Sequence, residues 1–400
     1  MFMRRLVHAL AGCLLMAAAS SPGAAADKVV LIGAPLPLTG PLSPEGTKLK
    51  QGYDLWVEEV NKAGGMSVGG EKRKIELLYY DYASNTPKAV QLAEKLITDD
   101  KVDFLFAPFG SGATKAASSV AEKYGMPMIA STASSVEVYD QGYKNLFGIF
   151  TPNDTLTEPI TDLISGKFPQ IKKVAILARN DLYPLTLATD FEKSAKKRGL
   201  EVVMFDKYAI GTLDHASTLT QMRALRPDWI ITTGYVNDLI LIRKQMADIS
   251  VRTQLVTMIN GPAYKEFIDA VGPLGEGLTS ASWWLPAAKY EGEDVFKTSD
   301  NYTKLFRAKY SLEPDFTTAG GSTVGIVLQM AIEKAGTVDR AKVREVLATS
   351  KFKTFFGPVA FNSVGQANSY TPPVFQIHKG QPVVIYPPEL ASAQVELSKR

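Results

Sequence analysis

Short, continuous apolar runs alternate along this chain with stretches in which apolar residues recur every three or four positions. The first kind suits a strand buried on both faces, and the second marks one face of a helix. The early runs are Val29–Leu38, Ile75–Tyr80, Val102–Ala107 and Met126–Ala130. Between them lie three helical patterns. Leu49, Tyr53, Trp56, Val57 and Val60 carry one, stopped by the glycine signal Ala63-Gly-Gly65. Ala89, Leu92, Ala93, Leu96 and Ile97 carry the next, and Ala113–Tyr124 is the third. A second series begins near Asn153, with strands at Lys173–Ala178, Leu200–Phe205, Trp229–Thr233 and Leu255–Ile259. Its helices fall at Thr186–Arg198, His215–Leu225 and Asp238–Met246. Later helices at Thr317–Glu333 and Arg340–Ala348 must pack on one of the two units. The tail, Phe361–Pro388, holds strand-like runs (Val374–His378, Val383–Tyr386) and no helix. This alternation predicts an α/β fold of two doubly wound parallel-sheet lobes with a ligand cleft between them.

Ligands of such sheets bind beyond the carboxyl ends of the strands. One such corner is Phe109-Gly-Ser-Gly-Ala-Thr-Lys-Ala116, where a strand turns on two glycines and opens a helix. A helix start offers unpaired N–H groups and the positive end of a dipole. Ser111 and Thr114 in its first turn either cap that helix or face a ligand. Thr132 and Ser134 follow the next strand. Tyr183 and Tyr235 each follow a strand of the second series and offer an apolar face with a polar tip, or simply cover the lobe surface. The corner is expected to hold the anionic end of a small molecule.

Arg4 and Arg5, the apolar stretch Leu6–Ala19 and the Ala-x-Ala ending at Ala26 predict an export signal over residues 1–26. Leu10-Ala-Gly-Cys13 matches a lipoprotein box, but the apolar run continues past Cys13, so cleavage near Asp27 without lipidation is the expectation. The mature chain then has no cysteine, which excludes disulfides and thiol chemistry. Removing Arg4 and Arg5 takes the 44 basic residues to 42 against 41 acidic ones, giving no footprint for nucleic acid or an anionic membrane. His215 and His378, the two mature histidines, sit in no metal or triad pattern. The corner at Phe109 lacks the Gly-Lys-Ser/Thr ending of a phosphate loop. No catalytic constellation, metal site or cofactor is predicted.

With Leu38-Thr-Gly-Pro-Leu42, Glu58-Glu-Val-Asn-Lys-Ala-Gly-Gly65, Ser111-Gly-Ala-Thr-Lys-Ala116 and Phe356-Gly-Pro-Val-Ala-Phe361, the whole mature chain resembles one family. These landmarks are similar to those of the branched-chain amino-acid (leucine/isoleucine/valine) periplasmic substrate-binding proteins of ABC importers. The resemblance implies two lobes, residues 27–150 plus 284–356 and residues 151–283 plus 357–400, closing like a hinged clam. Three crossovers would fall near Phe150-Thr-Pro152, Ser282-Trp-Trp-Leu-Pro286 and Phe355-Phe-Gly-Pro358. It implies a carboxylate-binding Ser111, a ligand contact at Ser134, a backbone contact at Thr132, and cleft tyrosines at Tyr183 and Tyr235. It also implies a monomeric periplasmic receptor that delivers a small molecule to an inner-membrane ABC permease.

Departures from the family shape the expected ligand. Asn260 falls where amino-acid binders carry an acid for the ligand's ammonium, and an uncompensated buried ammonium is costly. Glu45 stands where an aromatic cleft residue is common; it either serves the ammonium or, as expected, faces solvent in a loop. Trp283 and Trp284, with Phe109, Tyr82, Tyr183 and Tyr235, could cage a flat ligand, or pack a hinge. The expected ligand is an amino acid or an aromatic or organic carboxylate. Alternatives are an amide-type ligand and a sensory receptor reporting to a membrane signalling partner.

Overall fold

The computed structural model describes residues 29–398; the expected signal at residues 1–26, with Cys13, lies outside them. The chain begins with β1 (Val30–Leu36), α1 (Ser43–Lys62), the hairpin β2 (Met66–Val68) and β3 (Glu71–Arg73), and β4 (Ile75–Asp81). Next come α2 (Thr86–Thr98), β5 (Phe104–Phe106), α3 (Ser111–Lys123), β6 (Met128–Ala130) and β7 (Leu146–Gly148). Five of these strands form a parallel sheet in the order β4-β1-β5-β6-β7.

The second series comprises α4 (Asp154–Lys167), β8 (Lys173–Arg179), α5 (Leu182–Lys197), β9 (Glu201–Tyr208) and α6 (Ala216–Leu225). It continues with β10 (Trp229–Thr233), α7 (Val236–Asp248), β11 (Leu255–Ile259), α8 (Lys265–Val271) and β12 (Thr279–Ala281). Then follow α9 (Ser299–Tyr310), α10 (Phe316–Ala335), α11 (Arg340–Thr349), the hairpin β13 (Lys351–Thr354) and β14 (Gly357–Ala360), β15 (Val374–His378) and β16 (Gln381–Tyr386). The second sheet runs β16-β15-β12-β11-β10-β8-β9. Its tail strands β15 and β16 pair antiparallel, on β12 and on each other. Every residue of β10 is buried, which is why Trp229-Ile-Ile-Thr-Thr233 reads as an unbroken run rather than an alternation.

Small residues decide where α10 packs. A Cβ on Gly52 of α1 would lie 2.1 Å from the Thr318 carbonyl oxygen, and one on Gly325 of α10 would lie 2.2 Å from the Trp56 ring. The two helices therefore touch backbone to backbone, fixing α10 on the first sheet's side.

The chain passes between the sheets after β7 and again after β12. The third passage comes later than Phe355–Pro358. Residues 357–367 stay beside β7: the Gly148 N–H donates to the Gly365 carbonyl at 2.8 Å, and the Ala367 N–H donates to the Gly148 carbonyl at 2.8 Å. An edge strand offers unpaired backbone groups, and this turn satisfies them before the chain leaves. Strands β7 and β12 are not among the runs read from the sequence; β12, Thr279-Ser-Ala281, has no apolar run to mark it.

Candidate functional site

The carboxyl ends of β5, β6, β8, β10 and β11 converge between the two sheets on one small space. Rings form most of its wall. Phe109 lies 5.8 Å from Tyr235, and Tyr235 lies 6.3 Å from Tyr183. Tyr183 lies 6.1 Å from Trp283, and Trp283 stacks on Phe150 at 4.3 Å with 9° between the planes. Phe316 closes the belt, 5.6 Å from Trp283 and 5.0 Å from Tyr264. The remaining lining comes from Gly110, Thr132 and Asn260, so among the described residues that line the space none is charged.

Local structure explains each placement. Gly110 caps α3 at φ 84°, a conformation glycine adopts without strain, and its N–H donates to the Thr132 hydroxyl at 3.0 Å. The positive end of α3 thus abuts the cavity. Tyr183 sits in the first turn of α5, one turn earlier than periodicity placed the helix, after the N-cap Asp181. Asn260 follows β11 at φ 83° and ψ −57°, a turn conformation costly for an L-residue and found where surroundings over-determine it. Those surroundings are the Tyr183 hydroxyl, donating to the carboxamide oxygen at 3.1 Å, and the Gly234 carbonyl, accepting from the carboxamide nitrogen at 3.3 Å. Burial holds the Tyr183 and Tyr235 phenols above their ordinary range, so both remain donors. The buried Arg179 guanidinium lies 5.0 Å from the Tyr235 ring centroid and 2.7 Å from Asp238, whose carboxylate also accepts the Tyr235 N–H.

Of the residues singled out from sequence, the cavity gathers Phe109, Thr132, Tyr183, Tyr235, Asn260 and Trp283. Four others turn to partners inside the protein. The Thr114 hydroxyl donates to the Pro108 carbonyl at 2.8 Å, and the Tyr82 hydroxyl donates to the Phe109 carbonyl at 3.3 Å. The Ser134 hydroxyl donates to Asn153 at 2.7 Å. The Ser111 oxygen accepts the N–H groups of Ser134 and Ser135, each at 3.3 Å. These side chains hold the corner together from behind. Trp284 turns into the core against Tyr302 and Phe355, the packing role foreseen for one of the two tryptophans. Phe150, Tyr264 and Phe316 were missed. Each lies at a crossover or a helix start, where no repeat marks it.

Glu45 corrects a further expectation. It lies in the first turn of α1, not in an exposed loop, and is 2% exposed because the start of α7 covers it. The two sides meet elsewhere too. Lys48 of α1 reaches Glu266 of α8 at 3.0 Å, the Tyr264 and Thr317 hydroxyls meet at 2.7 Å, and those of Ser135 and Thr186 at 2.8 Å. The structure is that of a closed cleft.

Two parallel-sheet lobes closed over a small, ring-lined cavity define a two-lobed ligand-binding protein. The chain belongs to the periplasmic binding protein family, whose pattern matches residues 29–381. It is 26% identical over 372 residues to the leucine-, isoleucine-, valine-, threonine- and alanine-binding protein of Pseudomonas aeruginosa, covering 92% of this chain and 95% of that one. The crystal structure of the leucine-binding protein LivK of Thermotoga maritima superposes with a TM-score of 0.80 at 24% identity, covering 89% of this chain and 97% of that one. A solute-binding protein of an R. palustris ABC transporter, solved with benzoate, gives 0.77 at 21% identity, covering 90% and 96%.

Proposed function

We propose that this protein is an exported solute receptor that binds a small, flat carboxylate between its lobes and delivers it to the permease of an ABC importer in the inner membrane. The observation that carries the reading is the continuous ring belt from Phe109 to Tyr264, with the uncharged Asn260 at its edge. Such a wall suits the faces of an aromatic ring. It offers no acid to an amino acid's ammonium, whose burial without a counter-charge is costly. The Gly110 start of α3, the Thr132 hydroxyl and the Tyr235 hydroxyl would meet the carboxylate. The benzoate complex of the R. palustris protein and the 3,4-dihydroxybenzoate complex of its Rhodopseudomonas palustris BisB5 counterpart support this ligand class.

Thermal-shift measurements with benzoate, 3,4-dihydroxybenzoate, benzamide and leucine test it. A ligand at about 100 times its Kd adds about 2.7 kcal/mol of stability. The aromatic acids should shift the midpoint and leucine should not. A leucine shift equal to that of benzoate overturns the ligand class, and a benzamide shift exceeding benzoate's replaces the carboxylate with an amide.

A further inference from the structure

Glu45 is a carboxylate enclosed from both lobes. It belongs to α1, on the first sheet's side, while the backbone N–H of Val236, at the start of α7 on the second sheet's side, faces it. One carboxylate oxygen, Oε2, is fully buried and has no hydrogen-bond partner among the described residues. The cation one turn along α1 is committed elsewhere: the Lys48 ammonium lies 2.7 Å from Asp315 and 3.0 Å from Glu266. The other titratable groups acting on the same spot are Glu266 of α8, Asp315 at the cap of α10, Tyr82 after β4, Tyr235 at the cap of α7 and Tyr264 before α8. Burial holds the three phenols above their ordinary range, so they are neutral throughout the neutral pH region. The Asp315 and Glu266 ion pairs hold Lys48 above its ordinary range, so it stays charged there, while Glu45 is the buried carboxyl whose own proton exchange falls in that region.

Opening the cleft would carry Val236, Tyr235 and Tyr264 away from α1 and return water to Glu45. We propose that Glu45 is a proton-binding site coupled to closure, taking up a proton as the lobes close over ligand and releasing it as they open. The inference rests on the hinge-closure reading above. Neutral Glu45 brings no charge into the closed space; ionised Glu45 leaves a charge where water cannot reach it.

The sign follows from the closed state. Burial pushes the Glu45 carboxyl up to about 7 from its ordinary 4.5, against smaller opposing effects of its own backbone N–H, Lys48 and Val236. Below the ordinary value, open and closed forms are both neutral; above the raised one, both are ionised. Between the two, closing takes up a proton, so affinity falls as pH rises, by up to about tenfold per pH unit, and flattens beyond.

Calorimetric titration with benzoate from about pH 5 to about pH 8 tests this on the wild type and Glu45→Gln. Benzoate stays ionised throughout. The wild type should lose affinity with rising pH, and the variant should hold one affinity near the wild type's acidic value. A flat wild-type profile, or the same slope in Glu45→Gln, overturns the proposal. If benzoate binds neither protein at any pH, the ligand reading fails and small-angle scattering of the ligand-free proteins decides the proton site. At alkaline pH a smaller radius of gyration for Glu45→Gln than for the wild type supports it, and equal radii overturn it.

Discussion

The Tyr183 hydroxyl donates to the Asn260 carboxamide oxygen across 3.1 Å, joining the first turn of α5 to the residue that follows β11. With the Gly234 carbonyl accepting from its nitrogen, Asn260 has one orientation and holds a strained backbone in place. Tyr183→Phe removes the donor and leaves a buried oxygen unsatisfied. It should cost about 1–3 kcal/mol in urea unfolding. A loss below about 0.5 kcal/mol would mean that the pair does not hold the cleft wall.

Asn260→Asp keeps the size and adds the charge that the cleft lacks. The new carboxylate faces the Gly234 carbonyl and any bound anion, so benzoate affinity should fall tenfold or more in calorimetric titration. Leucine, which brings an ammonium, should bind measurably better than to the wild type. If neither affinity moves, Asn260 does not face the ligand.

The adjacent tryptophans should separate by readout. Trp283 stacks on Phe150 at the cavity wall, and Trp284 packs against Tyr302 and Phe355 away from it. Replacing either with alanine should cost about 3–5 kcal/mol. Trp283→Leu should lower benzoate affinity, whereas Trp284→Phe should leave it unchanged. Equal effects of those two on affinity would contradict the wall assignment.

Lys48 joins two carboxylates of different kinds. Glu266 is 43% exposed and Asp315 is 4% exposed. Burial disfavours the ammonium, but the Asp315 and Glu266 ion pairs outweigh it and hold Lys48 above its ordinary range. Glu266→Gln should change stability by less than about 1 kcal/mol while loosening closure, seen as weaker binding with a smaller salt dependence. Lys48→Met should cost about 1–3 kcal/mol, because Asp315 keeps only the Thr317 and Thr318 N–H groups as partners.

Asp81 fastens the Leu38–Leu42 turn to β4, accepting from the Leu38, Thr39 and Ala83 N–H groups and the Thr39 hydroxyl. These hydrogen bonds outweigh burial and hold its carboxyl below the ordinary 3.8. The folded state therefore binds this proton less readily than the unfolded chain. The contribution is fully present above the ordinary value and is lost as pH falls through the lowered one. The stability gap between wild type and Asp81→Asn should shrink from neutral pH to about pH 3. A constant gap in urea unfolding at the two pH values would rule out the carboxylate's charge as its source.

Much of the architecture was legible in advance. Strands as long as β1, β8 and β10 announce themselves because both faces are buried, and helices such as α2 because one face is. β7 and β12 were not read, and β12, Thr279-Ser-Ala281, lacks the apolar run that marks the equally short β5 and β6. The third passage between sheets was misplaced because the Asn362–Gly365 turn binds an edge known only once the sheet is built. At the cleft, Tyr183, Tyr235 and Thr132 were found from their positions after strands. Phe150 and Phe316 were not, because they are neighbours across 5.9 Å of space but far apart along the chain.

The sequence by itself determined two α/β lobes, the strand-end corners where a ligand could sit, and an uncharged residue at position 260, because strand and helix patterns and side-chain chemistry are local properties. Tertiary structure alone decided which hydroxyls face the cavity and which are spent on neighbouring backbone, as with Ser111 and Thr114. It also decided the fate of Glu45. A glutamate near the start of a helix reads as solvated until a second lobe, folded from residues nearly two hundred positions away at Val236, closes over it. Burial is a property of the pair of surfaces that meet, and neither surface encodes it alone.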